Sequence, residues 1–161
     1  MKFQNIIEIQ APTNDVFEFV SDMRNMPKWN YFVTRVTQEK GGGPERGARY
    51  YQTRKTDSQR YEMIHYEPGQ SLSIKSMPGS SHTFERHLRF ESVANGTRLI
   101  DEMTLRTGFP GILERLAVGR IRRAVAENLG KLKELLEHGQ TQLQDGRSTY
   151  LASLDGPKAK Q

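Results

Sequence analysis

The first hydrophobic positions, Phe3, Ile6, Ile7 and Ile9, fall in a run that reads as a strand over 3–9. Pro12 closes it, because proline has no N–H to give to a ladder. Val16, Phe17, Phe19 and Val20 then supply the apolar face of a short helix. Thr13 or Asn14 offers its N-cap, and Asp15 and Glu18 suit the positive end of the helix dipole. Residues 22–30 read as a second short helix or turn, broken by Pro27 and carrying Trp29.

A series of strand-like runs follows at 32–39, 48–56, 59–66, 71–77, 83–91 and 97–106. Turn chemistry separates them: Gly41-Gly42-Gly43-Pro44, Asp57-Ser58, Pro68-Gly69, Pro78-Gly79-Ser80 and Asn95-Gly96. Asn-Gly between two strand-like runs is the strongest of these hairpin signals.

Beyond Pro110 the period changes. Leu113, Leu116, Ile121, Val125, Leu129, Leu132 and Leu136 recur mostly three and four apart, which is helical. Pro110 suits the first turn and Gly139 the C-terminal cap. The helix would run for about 28 residues, or roughly 42 Å. Gly119 and Gly130 interrupt it, and close packing against strands is the expected reason. Residues 139–161 are polar and aperiodic, and are expected to form a mobile, dispensable tail beside a single domain over 1–138.

This order of elements predicts an α+β fold: a curved antiparallel sheet wrapped around a long C-terminal helix, with two short helices after the first strand. Side chains cannot fill all the space between a curved sheet and a straight helix, so a cavity is expected there.

Composition narrows the function. The 161 residues contain no cysteine, which excludes disulfides, thiolate metal sites and cysteine nucleophiles. No apolar run reaches the length of a membrane span, and polar residues interrupt the N-terminus where a secretory segment would need apolar ones. A cytoplasmic location is the expectation. The net charge of +5 arises from 24 basic and 19 acidic residues dispersed along the chain. Arg120, Arg122 and Arg123, with Arg115 nearby, point in different directions around a helix, so no specific nucleic-acid partner is expected.

Several segments resemble START-like proteins of the polyketide cyclase/dehydrase and lipid-transport group, which includes birch-pollen-allergen-like proteins. Ile7-Glu8-Ile9-Gln10-Ala11-Pro12 followed by 15–22 is similar to the opening of those chains, and Met26-Pro27-Lys28-Trp29 to their tryptophan motif. Tyr66-Glu67-Pro68-Gly69, and Phe90-Glu91 with Gly96-Thr97-Arg98-Leu99, are similar to their later hairpins. The resemblance implies the helix-grip fold over 1–138. Its motifs are structural, and the group spans carriers, ring-closing enzymes, hormone receptors and stress proteins, so the fold does not choose a function.

Alternation along the strands selects candidate residues. Phe84, Arg86, Leu88 and Phe90 share one face of their strand, and Leu99, Asp101, Met103 and Leu105 the facing side of the next. Arg86 and Asp101 would be a polar pair in an apolar lining, either as a structural ion pair or to orient a ligand carbonyl or carboxylate. His65 shares parity with Tyr61 and Met63, which would let it enter the cavity as a base, although a strand histidine of this kind is more often a surface or hydrogen-bonded residue. Trp29, at one end of the cavity, and Phe109, at its mouth, complete the expected ligand-binding set with Tyr61. His82 lies near a turn and reads as solvated. The histidine spacing gives no metal site, and no cofactor motif is present. Three functions remain: binding a small, largely apolar ligand such as a lipid, polyketide or aromatic compound; a cyclase or dehydratase acting on such a ligand, with Arg86, Asp101 or His65 as catalytic candidates; and an adaptor at a protein or membrane surface.

Overall fold

The computed structural model describes residues 1–151. Strands β1 (Lys2–Ile9), β2 (Val33–Lys40), β3 (Arg49–Arg54), β4 (Ser58–Glu67), β5 (Ser71–Ser76), β6 (Thr83–Val93) and β7 (Gly96–Arg106) form one antiparallel sheet in the order β1-β7-β6-β5-β4-β3-β2. The sheet does not close: β1 and β2 are its edges. Helix α1 (Thr13–Ser21) and a 3₁₀ turn (Met23–Lys28) make the passage from one edge to the other. Helix α2 (Gly111–His138) lies along β1, where Lys133 Nζ donates to the Glu8 carbonyl at 2.6 Å. The fold is α+β, as the order of elements predicts.

The core fills the concave side. Ile9, Met63, Leu72 and Leu99 are fully buried beneath Leu129, Leu132 and Leu135 of α2. Burial along α2 is uneven. Leu113 and Leu116, expected on the packed face, are exposed, and Leu135 rather than Leu136 is the fully buried leucine of the last turns. The buried helix positions are Val118, Asn128, Leu129, Leu132 and Leu135, so the C-terminal half carries most of the packing.

Several local expectations are corrected. Pro12, not Thr13 or Asn14, occupies the N-cap of α1 without a side-chain cap. Thr13 Oγ1 is instead engaged with Ser92 Oγ at 2.7 Å and accepts from Thr97 Oγ1 at 3.2 Å. The β6–β7 hairpin turns at Ala94-Asn95, since Val93 pairs with Gly96. Gly96 is required for another reason: at φ +148° it passes so close to β1 that a Cβ would lie 2.1 Å from the Ile9 carbonyl oxygen. Gly119 and Gly130 do not sit against strands, because a Cβ at either meets nothing within 4 Å.

The segment expected to be a mobile tail carries regular structure as far as it is described. Gly139 adopts the left-handed conformation at φ 79° and caps α2 by donating to the Leu135 carbonyl at 2.8 Å. Strands β8 (Gln140–Gln142) and β9 (Ser148–Tyr150) then pair as a hairpin that buries Leu143. Thr149 Oγ1 donates to the Lys28 carbonyl at 2.7 Å and Gln144 Nε2 to Asn128 Oδ1 at 3.1 Å, tying the hairpin to the 3₁₀ turn and to α2. Hydrophobic periodicity does not register such a hairpin, which needs only one buried leucine and backbone pairing. Residues 152–161 lie outside the described residues.

Candidate functional site

Arg86 on β6 and Asp101 on β7 come together because these strands pair Leu88 with Asp101 and Arg86 with Met103, which makes the two charged residues diagonal neighbours on the concave face. The guanidinium forks onto the carboxylate, with Nε to Oδ1 at 2.8 Å and Nη2 to Oδ2 at 2.5 Å. Arg86 is 5% exposed and Asp101 0%. Burial pulls the Arg86 pKa down, but the charge and hydrogen bonds of Asp101 outweigh it, so the pKa is raised and the guanidinium keeps its proton. Its carbon also stands 5.7 Å from the centre of the buried Trp29 ring. Nη1 makes no hydrogen bond among the described residues.

Above this pair lies a pocket of about 470 Å³ between the sheet and the N-terminal half of α2. Ile74, Phe84, Met103 and Leu105 form the sheet wall, and Ala117, Ile121, Ala124 and Val125 the helix wall. Its buried polar groups are Arg86, Gln52, Gln59 and Asn128, while His82, Arg106, Phe109 and Arg120 are its exposed wall residues. Gln52 Nε2 reaches Gln59 Oε1 at 3.5 Å, and the buried Gln52 Oε1 has no hydrogen-bond partner among the described residues. Asn128 holds the helix to the passage before β2: its Nδ2 donates to Asn30 Oδ1 at 3.1 Å, and its Oδ1 accepts from the Tyr31 N–H at 3.3 Å. No group of three His, Asp or Glu side chains among the described residues is placed to hold a metal ion.

Of the ten residues expected to bind a ligand, Phe84, Arg86, Met103 and Phe109 line this pocket. The other six do not. Asp101 lies behind Arg86; Trp29 and Tyr61 are buried in the core, Tyr61 stacked on Tyr50 with ring centres 5.4 Å apart. Leu88, Phe90 and Leu99 are buried in the core, not on the pocket wall, and Phe17 of α1 meets Phe90 edge-on at 5.0 Å. Helix α1 thus fills one end of the concave face, and the pocket is confined to the other.

Of the two places open to His65, it takes the surface, hydrogen-bonded one and not that of a cavity base. A β-bulge between Met63 and His65 reverses the alternation, so Tyr66 turns inward against Phe17 at 5.6 Å and His65 faces out. His65 Nε2 pairs instead with Ser71 Oγ at 2.8 Å on the outer face. The histidine that does line the pocket is His82, exposed, with Nε2 3.7 Å from Asp57 Oδ2. Gln52 and Gln59 were missed although strand parity with Tyr50 and Tyr61 was available as a signal. Asn128 was missed because it is polar on an otherwise apolar helix face.

The comparisons give the family. Residues 1–137 match the model of the family described as polyketide cyclase/dehydrase and lipid transport. A comparison with curated proteins gives no significant match. Among solved structures, a Deinococcus radiodurans protein shares 16% identity at a TM-score of 0.65, with 86% of this chain and 99% of that one covered. DynU16, a putative protein in the dynemicin biosynthetic locus, shares 21% identity at 0.67, covering 86% of this chain and 48% of its own. The di-domain ARO/CYC StfQ of the steffimycin biosynthetic pathway shares 16% at 0.67, covering 84% and 50%. At these identities the structural likeness speaks for the fold alone, and the family match carries the assignment: the chain belongs to the polyketide cyclase/dehydrase and lipid-transport family.

Proposed function

We propose that the chain binds a small, largely apolar molecule with one oxygen-bearing end in the pocket between the sheet and α2. The observation that carries this reading is Arg86: a buried, charged guanidinium on the pocket wall, fixed by Asp101, with Nη1 left to donate. A ligand carbonyl, phenol or carboxylate would accept there, and a hydroxyl could donate to Gln52 Oε1. The volume of about 470 Å³ lies within the range of small-molecule sites. The family description, polyketide cyclase/dehydrase and lipid transport, supports a polyketide or a lipid as the occupant.

An anionic aromatic dye, 1-anilinonaphthalene-8-sulfonate, tests the site. Its fluorescence should rise on binding the native protein, weaken with Arg86→Met/Asp101→Leu, and be lost with Met103→Trp, which fills the wall. Equal binding by native protein and Met103→Trp would place the dye elsewhere and overturn the reading. The enzyme alternative has one observation in its favour, His82 at the pocket with Asp57 beside it. It requires that His82→Ala abolish turnover of a bound polyketide while leaving its affinity unchanged.

A further inference from the structure

We infer that the N-terminal end of α2 is a docking surface for an anionic lipid bilayer. Phe109, Ile112, Leu113 and Leu116 are 57%, 75%, 54% and 62% exposed. Ile112, Leu113 and Leu116 are spaced one and three apart, so they share one face of the helix start, and Phe109 lies in the segment just before it. Scattered exposed apolar residues are ordinary, but three large ones on one helical face, with a fourth three residues before Ile112, are a patch. The patch adjoins the pocket, because Phe109 belongs to both.

Charge decides what covers it. Arg106, Arg115, Arg120 and Arg123 flank the patch along the chain, all exposed and none in an ion pair among the described residues. The one acidic residue of the first helical turns, Glu114, already faces the N-terminal amine at 3.9 Å. The expectation that these arginines point in different directions holds for Arg122 but not for Arg120 and Arg123. Those two are three apart, and they continue the face of Leu116 at four and seven residues. A second copy of the chain would bring two such arginine sets together and be repelled. A surface of acidic headgroups satisfies the arginines while the acyl boundary takes the apolar side chains. No helix among the described residues is long and apolar enough to cross a membrane, so α2 would lie on the surface rather than span it.

The inference does not rest on the pocket having a ligand, and the test keeps the two apart. Native protein should float with vesicles of phosphatidylcholine containing about one-third phosphatidylglycerol, and not with phosphatidylcholine alone. Binding should fall steeply near 1 M salt, where screening acts within about 3 Å. Each neutralised arginine should weaken it roughly fivefold, so Arg115→Gln/Arg123→Gln together give roughly 25-fold. Ile112→Ser/Leu116→Ser should abolish it without lowering the melting temperature, since both positions are exposed. Leu116→Trp adds a second readout: its emission should shift to the blue only with the anionic vesicles. Met103→Trp should still dock, even where it no longer takes the dye. Failure to float with anionic vesicles, equal binding to neutral ones, or a dimer in solution that Leu116→Ser dissociates would each overturn the inference.

Discussion

Truncating Asp101 to alanine would leave the Arg86 guanidinium charged, 5% exposed and without its fork partner. Two charge-assisted hydrogen bonds are lost, but the larger effect is the stranded charge. Breaking a buried pair on one side costs about 3–5 kcal/mol, against about 0–1 kcal/mol for an exposed pair. Total stabilities of single domains are about 5–15 kcal/mol, so Asp101→Ala should remove a large part of the whole. The pocket tempers this only slightly, because Arg86 contributes a wall atom yet stays almost wholly covered. Replacing both charges, as in Arg86→Met/Asp101→Leu, strands nothing and should come within about 1–2 kcal/mol of the native protein or exceed it. Urea unfolding followed by far-ultraviolet circular dichroism measures both, provided the m-value is unchanged. A loss below about 1 kcal/mol in Asp101→Ala, or a double variant as unstable as the single, would refute the argument that a stranded charge sets the cost.

Deleting residues 140–161 exposes the site of Leu143, whose burial is worth about 1.5–3 kcal/mol, so the melting temperature should drop by roughly 3–12 °C; calorimetry of the shortened chain decides this. Gly119→Ala and Gly130→Ala meet open space and should each add about 1 kcal/mol to urea stability. Burial holds the Tyr61 hydroxyl proton far above its ordinary pKa and pushes that of Tyr50 up to about 12. Raised values mean that stability is complete below about pH 10 and falls above it, as unfolded tyrosines ionise and folded ones cannot. Tyr61 alone should cost about 1.4 kcal/mol of stability in all between about pH 9 and 11, a loss that Tyr61→Phe removes in urea titrations over that range.

The sheet and α2 were legible because their signals are local and repeated: alternating strands between turn residues, then a period near 3.6 beyond Pro110. Strand parity also brought Arg86 and Asp101 to one face before any pairing was known. Parity fails where one residue is inserted, and the bulge before His65 leaves no mark in composition. The position of the pocket was not legible either. It depends on how far α1 fills the concave face at Phe17 and on α2 burying Leu129, Leu132 and Leu135 while leaving Leu113 and Leu116 bare, which are matters of long-range packing. Gly96 shows the same limit: Asn95-Gly96 correctly announced a hairpin, but the glycine answers to the Ile9 carbonyl across the neighbouring strand.

In mechanical terms α2 is a cantilever. Its root is clamped by Leu129, Leu132 and Leu135, by the Gly139 cap and by the hairpin behind it. Its tip is held more lightly, by the buried Val118 and by two polar contacts, the N-terminal amine at Glu114 and the Asn5 amide at the Arg122 carbonyl. About 17 residues separate Leu129 from Ile112, a lever arm of roughly 26 Å. A tilt of about 5° at the root would therefore move the tip by roughly 2 Å. No ladder hydrogen bond need break for this, because the sheet already has its seam between β1 and β2. The width of the pocket then depends on how firmly this root is clamped, and core substitutions at Leu132, which is not a wall residue, act on it as well as changes in the wall itself.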